Sequence, residues 1–266
     1  MGNKKDSLGD RIKTFYENRT RSFLPRRTYT IIRIDGKAFH SLTKKFDKPF
    51  DYTFIHQMDE TAKYLCKNIQ GAKFAFVQSD EISILMTDFD KINTSAWFDG
   101  NIQKIASISA SMATSKFNQL RFLDYITKKY NDGITTITDL YLQNLSEIKL
   151  AEFDSRVFTI PSQIEVFNYF VWRQQDTVRN SISSVARSLY SHKELEKVNT
   201  DKMQEMCFQK GINWNDYDSG VKRGRFIMKV EDDVNNTKRM SWESVHCPIF
   251  TQDSEWLLSK IKNINE

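Results

Sequence analysis

Thr28-Tyr29-Thr30-Ile31-Ile32-Arg33-Ile34, broken by Asp35-Gly36, is the run that decides the fold. β-Branched and aromatic residues fill it, so residues 28–34 read as a strand, and the Asp-Gly pair ends it. Residues 52–69 then read as a helix. Lys73-Phe74-Ala75-Phe76-Val77-Gln78 is a second strand, Ser79-Asp80-Glu81 a tight connection, and Ile82-Ser83-Ile84-Leu85-Met86 a third strand with apolar alternation. Residues 98–118, rich in Ala and Ser, form a helix able to pack closely on a sheet. A fourth strand covers 155–160. The order β-α-β-β-α-β is the ferredoxin-like arrangement, an α+β fold with an antiparallel sheet. In it the first and third strands are central neighbours. The end of the first then lies beside the hairpin between the second and third, so Asp35 and Asp80 converge across 45 positions.

Outward from this frame, residues 8–18 read as a short basic helix. Ser162 and Glu165 form a capping box, with Pro161 before it, at the head of a helix over 163–191. Ile164, Phe167, Val171, Val178, Ile182, Val185 and Leu189 recur at helical spacing, which predicts that they form its buried face. Asp176, Arg179, Asn180, Ser183 and Arg187 fall opposite. That stripe is either a solvated surface or a grip for phosphate. A further helix covers about 200–210, stopped by Gly211. The expected division is a catalytic domain over 1–150 and a second over 151–266, an added helical region that completes the catalytic unit. Residues 121–150 and the tail from about 232 give no clear pattern.

The chain has 266 residues, 39% apolar and 27% charged, with a net charge of +5. This is an ordinary globular composition, and the mild positive charge permits a nucleic-acid partner without demanding one. Three widely spaced cysteines and no CxxC pair argue against a disulfide framework or a structural zinc site. No apolar run reaches transmembrane length, so no membrane partner is expected and the expected compartment is cytoplasmic.

Convergent carboxylates are costly. Two like charges ~4 Å apart repel by roughly 4 kcal/mol at an effective dielectric of 20. Without a cation one of them takes up a proton. Hard oxygen ligands open to phosphates suit magnesium, and two such ions can hold both oxygens of an in-line displacement. Gly36 lets its backbone approach a metal or phosphate closely.

Several separate stretches resemble the tRNA(His) guanylyltransferase superfamily. They are Arg33-Ile34-Asp35-Gly36-Lys37-Ala38-Phe39-His40, Lys48-Pro49, Gln78-Ser79-Asp80-Glu81, Phe153-Asp154-Ser155-Arg156-Val157, and Tyr169-Phe170-Val171-Trp172-Arg173-Gln174-Gln175-Asp176. The resemblance spans roughly residues 8–230. It implies a polymerase-like palm that adds nucleotides in the 3′–5′ direction, two Mg2+ ions, ATP or GTP as activating nucleotide with nucleoside triphosphates as substrates, tRNA as partner, and a homotetramer. By resemblance, Asp35 and Asp80 are the metal carboxylates, with the Gly36 carbonyl. Glu81 joins them in the catalytic set. Asp35 to His40 (Lys37, Ala38 and Phe39 between), Lys48, Ser79, Asp80 and Lys104 line the nucleotide site. Arg179, Asn180 and Arg187 are the candidates for tRNA.

Where the superfamily's tRNA(His) enzymes carry His-Ile-Asn-Asn, this chain has Val178-Arg179-Asn180-Ser181. Asn101 stands where those enzymes have an arginine. Both departures resemble the guanylyltransferase-like branch. The expected function is therefore template-directed repair of 5′-truncated tRNA after ATP-dependent 5′-adenylylation. The alternative is addition of one guanosine to tRNA(His). A palm-fold nucleotide cyclase and a catalytically idle tRNA-binding module are the rivals from other classes.

Overall fold

The computed structural model describes residues 7–131, 149–234 and 237–264. One antiparallel sheet holds six strands: β1 (Tyr29–Gly36), β2 (Ala72–Gln78), β3 (Glu81–Met86), β4 (Phe153–Ile160), β5 (Arg225–Val234) and β6 (Thr237–His246). Their order is β4-β1-β3-β2-β5-β6. The helices among the described residues are α1 (Ser7–Phe15), α2 (Phe39–Leu42), α3 (Tyr52–Asn68), α4 (Ile102–Asn131), α5 (Gln163–Leu189), α6 (Thr200–Gln209), α7 (Ser219–Arg223) and α8 (Ser254–Leu258). None is long and apolar enough to cross a membrane.

The expected central pair is present. β1 and β3 run antiparallel, with Ile34 opposite Ile82 and Asp35 opposite Glu81. Side chains alternate across a strand, so Ile32 and Ile34 face one way and Tyr29 and Ile31 the other. All four are fully buried. On the first side α3 and α4 bring Met58, Leu65 and Phe117 onto the sheet. On the second, α5 and the C-terminal segment bring Val166, Phe170, Phe250 and Leu257. A strand covered on both faces needs apolar residues at every position, which is why β1 reads as a continuous run. A third core joins the distal half of α5 to α6 and its flanking segments through Ile182, Val185, Leu195, Cys207 and Trp214. Each core holds one buried free thiol: Cys66, Cys247 and Cys207 respectively.

Four expectations need correction. The C-terminal region is not only helical, because β5 pairs with β2 and β6 with β5, extending the sheet past its predicted edge. The helix expected over 98–118 starts at Ile102 and runs to Asn131. Phe98 and Asp99 are left-handed, with φ of 49° and 55°. The buried Asn101 then caps the helix, its side-chain oxygen accepting from the Lys104 N–H at 3.0 Å. No Gly or Pro interrupts residues 102–131. The N-terminal helix stops at Phe15, and a short 3-10 turn follows over Glu17–Thr20. Finally, only part of the predicted face of α5 is fully buried. Ile164 is exposed, and Phe167, Val171, Val178 and Leu189 are only partly buried. Val166, Tyr169, Phe170, Arg173, Gln174, Thr177 and Ser181 are buried instead, with Ile182 and Val185. The helix inserts polar side chains because the ends of β2 and β3 offer them partners. Of the stretch without a clear pattern, residues 121–131 belong to α4, and 132–148 lie outside the described residues.

Candidate active site

Carboxylates gather where β1 ends and β3 and β4 begin. Asp35 faces Glu81 across one ladder and Asp154 across the other. The Gly36 N–H donates to the Asp80 carbonyl at 3.1 Å, which ties the β2–β3 turn to the end of β1. A cavity of about 410 Å3 opens there. Asp35, Gly36, Ala38, Phe39, His40, Ser79 and Asp80, all nominated from sequence, line it together with Thr43 and Phe54.

Backbone strain marks the same place. Ala38 and Ser79 are left-handed, with φ of 55° and 43°. Each such residue costs on the order of 1 kcal/mol, and such strain clusters at functional sites. A Cβ on residue 36 would lie 2.3 Å from the Phe39 ring, so the ring occupies the space that only glycine leaves. Phe39 is itself buried against Phe153, with ring centres 4.9 Å apart, and forms the floor of the cavity.

The electrostatics separate Asp80 from Glu81. Burial, first of all, pushes the Asp80 carboxyl up to about 6. The charge of Asp35 and, less, that of Glu81 add to the rise, while hydrogen bonds donated by its own backbone N–H and by Ser79 oppose it. Among the described residues no cation lies within ion-pair distance of Asp80, and the guanidinium of Arg156 reaches Asp35 only at 3.8 Å. Glu81 turns to the α5 side instead. Its carboxylate stands 3.1 Å from Arg173 Nε and 3.5 Å from Arg33 Nε, paired in charge but without hydrogen-bond alignment. It accepts from Gln78 and Ser83 at 3.3 and 3.2 Å. Ser83 in turn meets the Tyr169 hydroxyl at 2.8 Å, and Thr177 donates to Gln78 at 2.6 Å. Burial raises the Glu81 carboxyl too, and Arg173 and Arg33 pull it back.

This donor set fits a hard divalent cation. Two carboxylates face one open cavity, and one of them is driven towards protonation when no cation is there. No group of three His, Cys, Asp or Glu side chains among the described residues is arranged to hold a metal ion. A cation at Asp35 and Asp80 would complete its shell with backbone, water and phosphate oxygens.

The other nominated residues are distributed less tightly. Lys37 points away to Glu152 on the surface, with Nζ 2.6 Å from its carboxylate. Lys48 lines a second cavity of about 190 Å3 that shares Thr43, Phe54 and Ser79 with the first. Asn180 lines that second cavity as well. Arg179 is exposed and paired with Asp176 at 3.1 Å, and Arg187 is exposed farther along α5. Lys104 lies in the first turn of α4, its ammonium 5.8 Å from the centre of the Phe98 ring, and lines neither cavity. Sequence reasoning passed over Arg33, Arg173 and Tyr169. A charge inside the apolar run Ile31-Ile32-Arg33-Ile34 was the available sign of a buried partner.

A family model described as tRNAHis guanylyltransferase matches residues 9–161, more than half of the chain. The chain belongs to the tRNAHis guanylyltransferase family. It is accordingly a nucleotidyltransferase. A solved bacterial tRNA(His) guanylyltransferase-like protein in complex with ATP is 43% identical, with a TM-score of 0.79 over 96% of this chain and 99% of its own. A bacterial tRNA(His) guanylyltransferase-like protein in complex with GTP is also 43% identical, with a TM-score of 0.77 over the same shares. The tRNA(His) guanylyltransferase of Saccharomyces cerevisiae is 25% identical, with a TM-score of 0.63 over 91% of this chain and 99% of its own.

Proposed function

We propose that this protein transfers nucleotides to the 5′ end of a tRNA in the 3′–5′ direction, as a guanylyltransferase of the tRNA(His) type. One observation carries this reading: in a chain of this family, Asp35 and Asp80 meet at one cavity beside the left-handed Ala38 and Ser79. The four-strand unit β4-β1-β3-β2 serves as the palm, and residues 151–266 complete it and contact the tRNA.

Asp35 and Asp80, with the Gly36 carbonyl, would hold two magnesium ions. Such ions supply charge neutralisation at phosphate and a more acidic hydroxyl. The chain's own residues bind and orient. Ala38, Phe39, His40 and Ser79 shape the nucleotide cavity, while Lys48 from the adjoining one meets phosphate charge. The RNA 5′-phosphate attacks the α-phosphate of ATP or GTP, and pyrophosphate leaves. The 3′-hydroxyl of the incoming nucleotide then attacks the activated 5′-phosphate, and the nucleoside monophosphate leaves. Glu81 holds the turn that presents Asp80. Arg179, Asn180 and Arg187 hold the tRNA end, and four copies of the chain assemble.

A second reading has its own observation. Val178-Arg179-Asn180-Ser181 and Asn101 replace residues of the tRNA(His) enzymes, and the 43% relatives are of the guanylyltransferase-like kind. These favour template-directed repair of truncated tRNA. One assay separates the readings: tRNA(His), and a tRNA lacking its first nucleotide, are incubated with ATP, all four nucleotides and magnesium, and the new 5′ ends are sequenced. A single guanosine on tRNA(His) alone supports the first reading. Restoration of the base dictated by the opposite strand supports the second. Loss of either product in Asp80→Ala is expected. ATP turnover with no RNA product would overturn both in favour of a cyclase.

A further inference from the structure

The exposed side of α5 carries an aromatic ring that the carboxylate site does not use. Trp172 is 46% exposed. The guanidinium of Arg173 lies 4.0 Å from the indole centre, and Arg173 itself is 3% exposed. The ring face over Arg173 is therefore the inner one, and the exposure of Trp172 comes from the opposite face and the rim. Arg33 lies 6.0 Å from the same centre, and the Tyr169 ring meets it edge-on at 5.8 Å. These contacts fix the plane of the indole.

Its position is next to the chemistry. Arg33 and Asp35 sit on the same face of β1, ~7 Å apart by strand geometry. Arg156, opposite Arg33 on β4, has a half-exposed guanidinium within 3.8 Å of Asp35. Along α5, Arg179 and Arg187 follow at roughly 10 and 22 Å of helix axis from Trp172. A flat apolar plane edged by guanidinium groups matches what a polynucleotide strand offers, π-faces alternating with phosphates. A protein partner would call for a wider apolar patch, whereas Asn168, Gln175, Asp176 and Arg179, which flank Trp172 at helical spacing, are polar or charged.

We propose that the outer face of Trp172 stacks a nucleobase at the RNA end being extended, with Arg156 and Arg179 meeting the phosphates on either side. This rests on the reading that the partner is RNA, given above. The indole thereby sets how far the terminal nucleotide reaches towards Asp35 and Asp80.

The test uses the full chain and a 5′-phosphorylated acceptor-stem RNA hairpin, with magnesium omitted so that binding is read without turnover. Trp172→Ala is expected to weaken RNA binding about tenfold or more and Trp172→Phe by no more than about threefold, since stacking needs an aromatic plane. ATP binding measured without RNA stays at its wild-type value in both. Trp172 covers a buried ion pair, so a second readout uses the Phe variant alone. RNA quenches part of the wild-type tryptophan emission, and that part is missing in Trp172→Phe. Equal quenching in the two proteins, or an Ala variant that folds and binds RNA like the wild type, overturns the proposal. So does an Ala variant with unchanged RNA binding and a smaller assembly mass, which would make the ring a protein contact. RNA binding that depends on Trp172 in a protein that adds no nucleotide would support the stacking site and overturn the proposed reaction.

Discussion

Asp80 is the residue at which burial and the proposed function pull in opposite directions. Its folded carboxyl is pushed up to about 6, above that of an unfolded chain. The folded protein thus keeps a proton that the unfolded chain releases from about pH 4 upward. Stability of the cation-free protein accordingly falls as the pH rises from about 4 to about 6, and levels off above. At roughly 1.4 kcal/mol per pKa unit, the loss is no more than about 3 kcal/mol. Asp80→Asn removes this loss. In chelator at pH 7 the variant is expected to unfold at higher urea than the wild type, and the gap should close near pH 4. A variant less stable at both pH values would show that Asp80 is not strained by its surroundings. The chemical nature of this residue was legible from Asp35-Gly36 and Ser79-Asp80-Glu81 alone, because strand ends and acid side chains are both local features. The left-handed backbone at Ala38 and Ser79 was not, since neither residue type announces it.

At the scale of elements, α5 does two jobs that its sequence pattern does not separate. Its distal half packs by Ile182 and Val185, as the periodicity predicts. Its proximal half buries Arg173 against Glu81, and there the periodicity misled. Burying an ion pair leaves each partner dependent on the other. Arg173→Met is expected to cost about 3–5 kcal/mol. Adding Glu81→Gln should recover much of that, because Gln78 and Ser83 remain as hydrogen-bond partners for the amide. Urea midpoints of the four proteins give the coupling, and strictly additive losses would dissociate Arg173 from Glu81. The hairpin of β5 and β6 escaped notice for a similar reason. Lys229, Glu231 and Lys238 break the apolar pattern of an edge hairpin whose recognition depends on pairing with β2, 150 positions earlier, and not on local sequence.

At the scale of the molecule, the sheet draws strands from both sides of residue 150, and the family match ends at residue 161. A fragment ending there keeps β1 to β4 but loses α5, which covers one face, and β5, which covers the edge of β2. The fully buried Tyr29, Ile31, Phe74 and Phe76 would then face water. Burial of such side chains is worth about 1.5–3 kcal/mol each, comparable in sum with the whole stability of a domain. Residues 1–161 alone are expected to aggregate or to lack a cooperative melt by circular dichroism. A sharp transition from a soluble monomeric fragment would show that the first four strands suffice. The three cores also give the protein a way to be watched as it opens. Each contains one thiol, shielded from solvent and, for Cys66 and Cys247, raised well out of the reactive range by burial. A thiol becomes available to a reagent only when its own core comes apart. Three alkylation rates, one per cysteine, would thus time-stamp the separate loosening of the α3–α4 layer, the α5 layer and the α5–α6 junction in an unaltered chain.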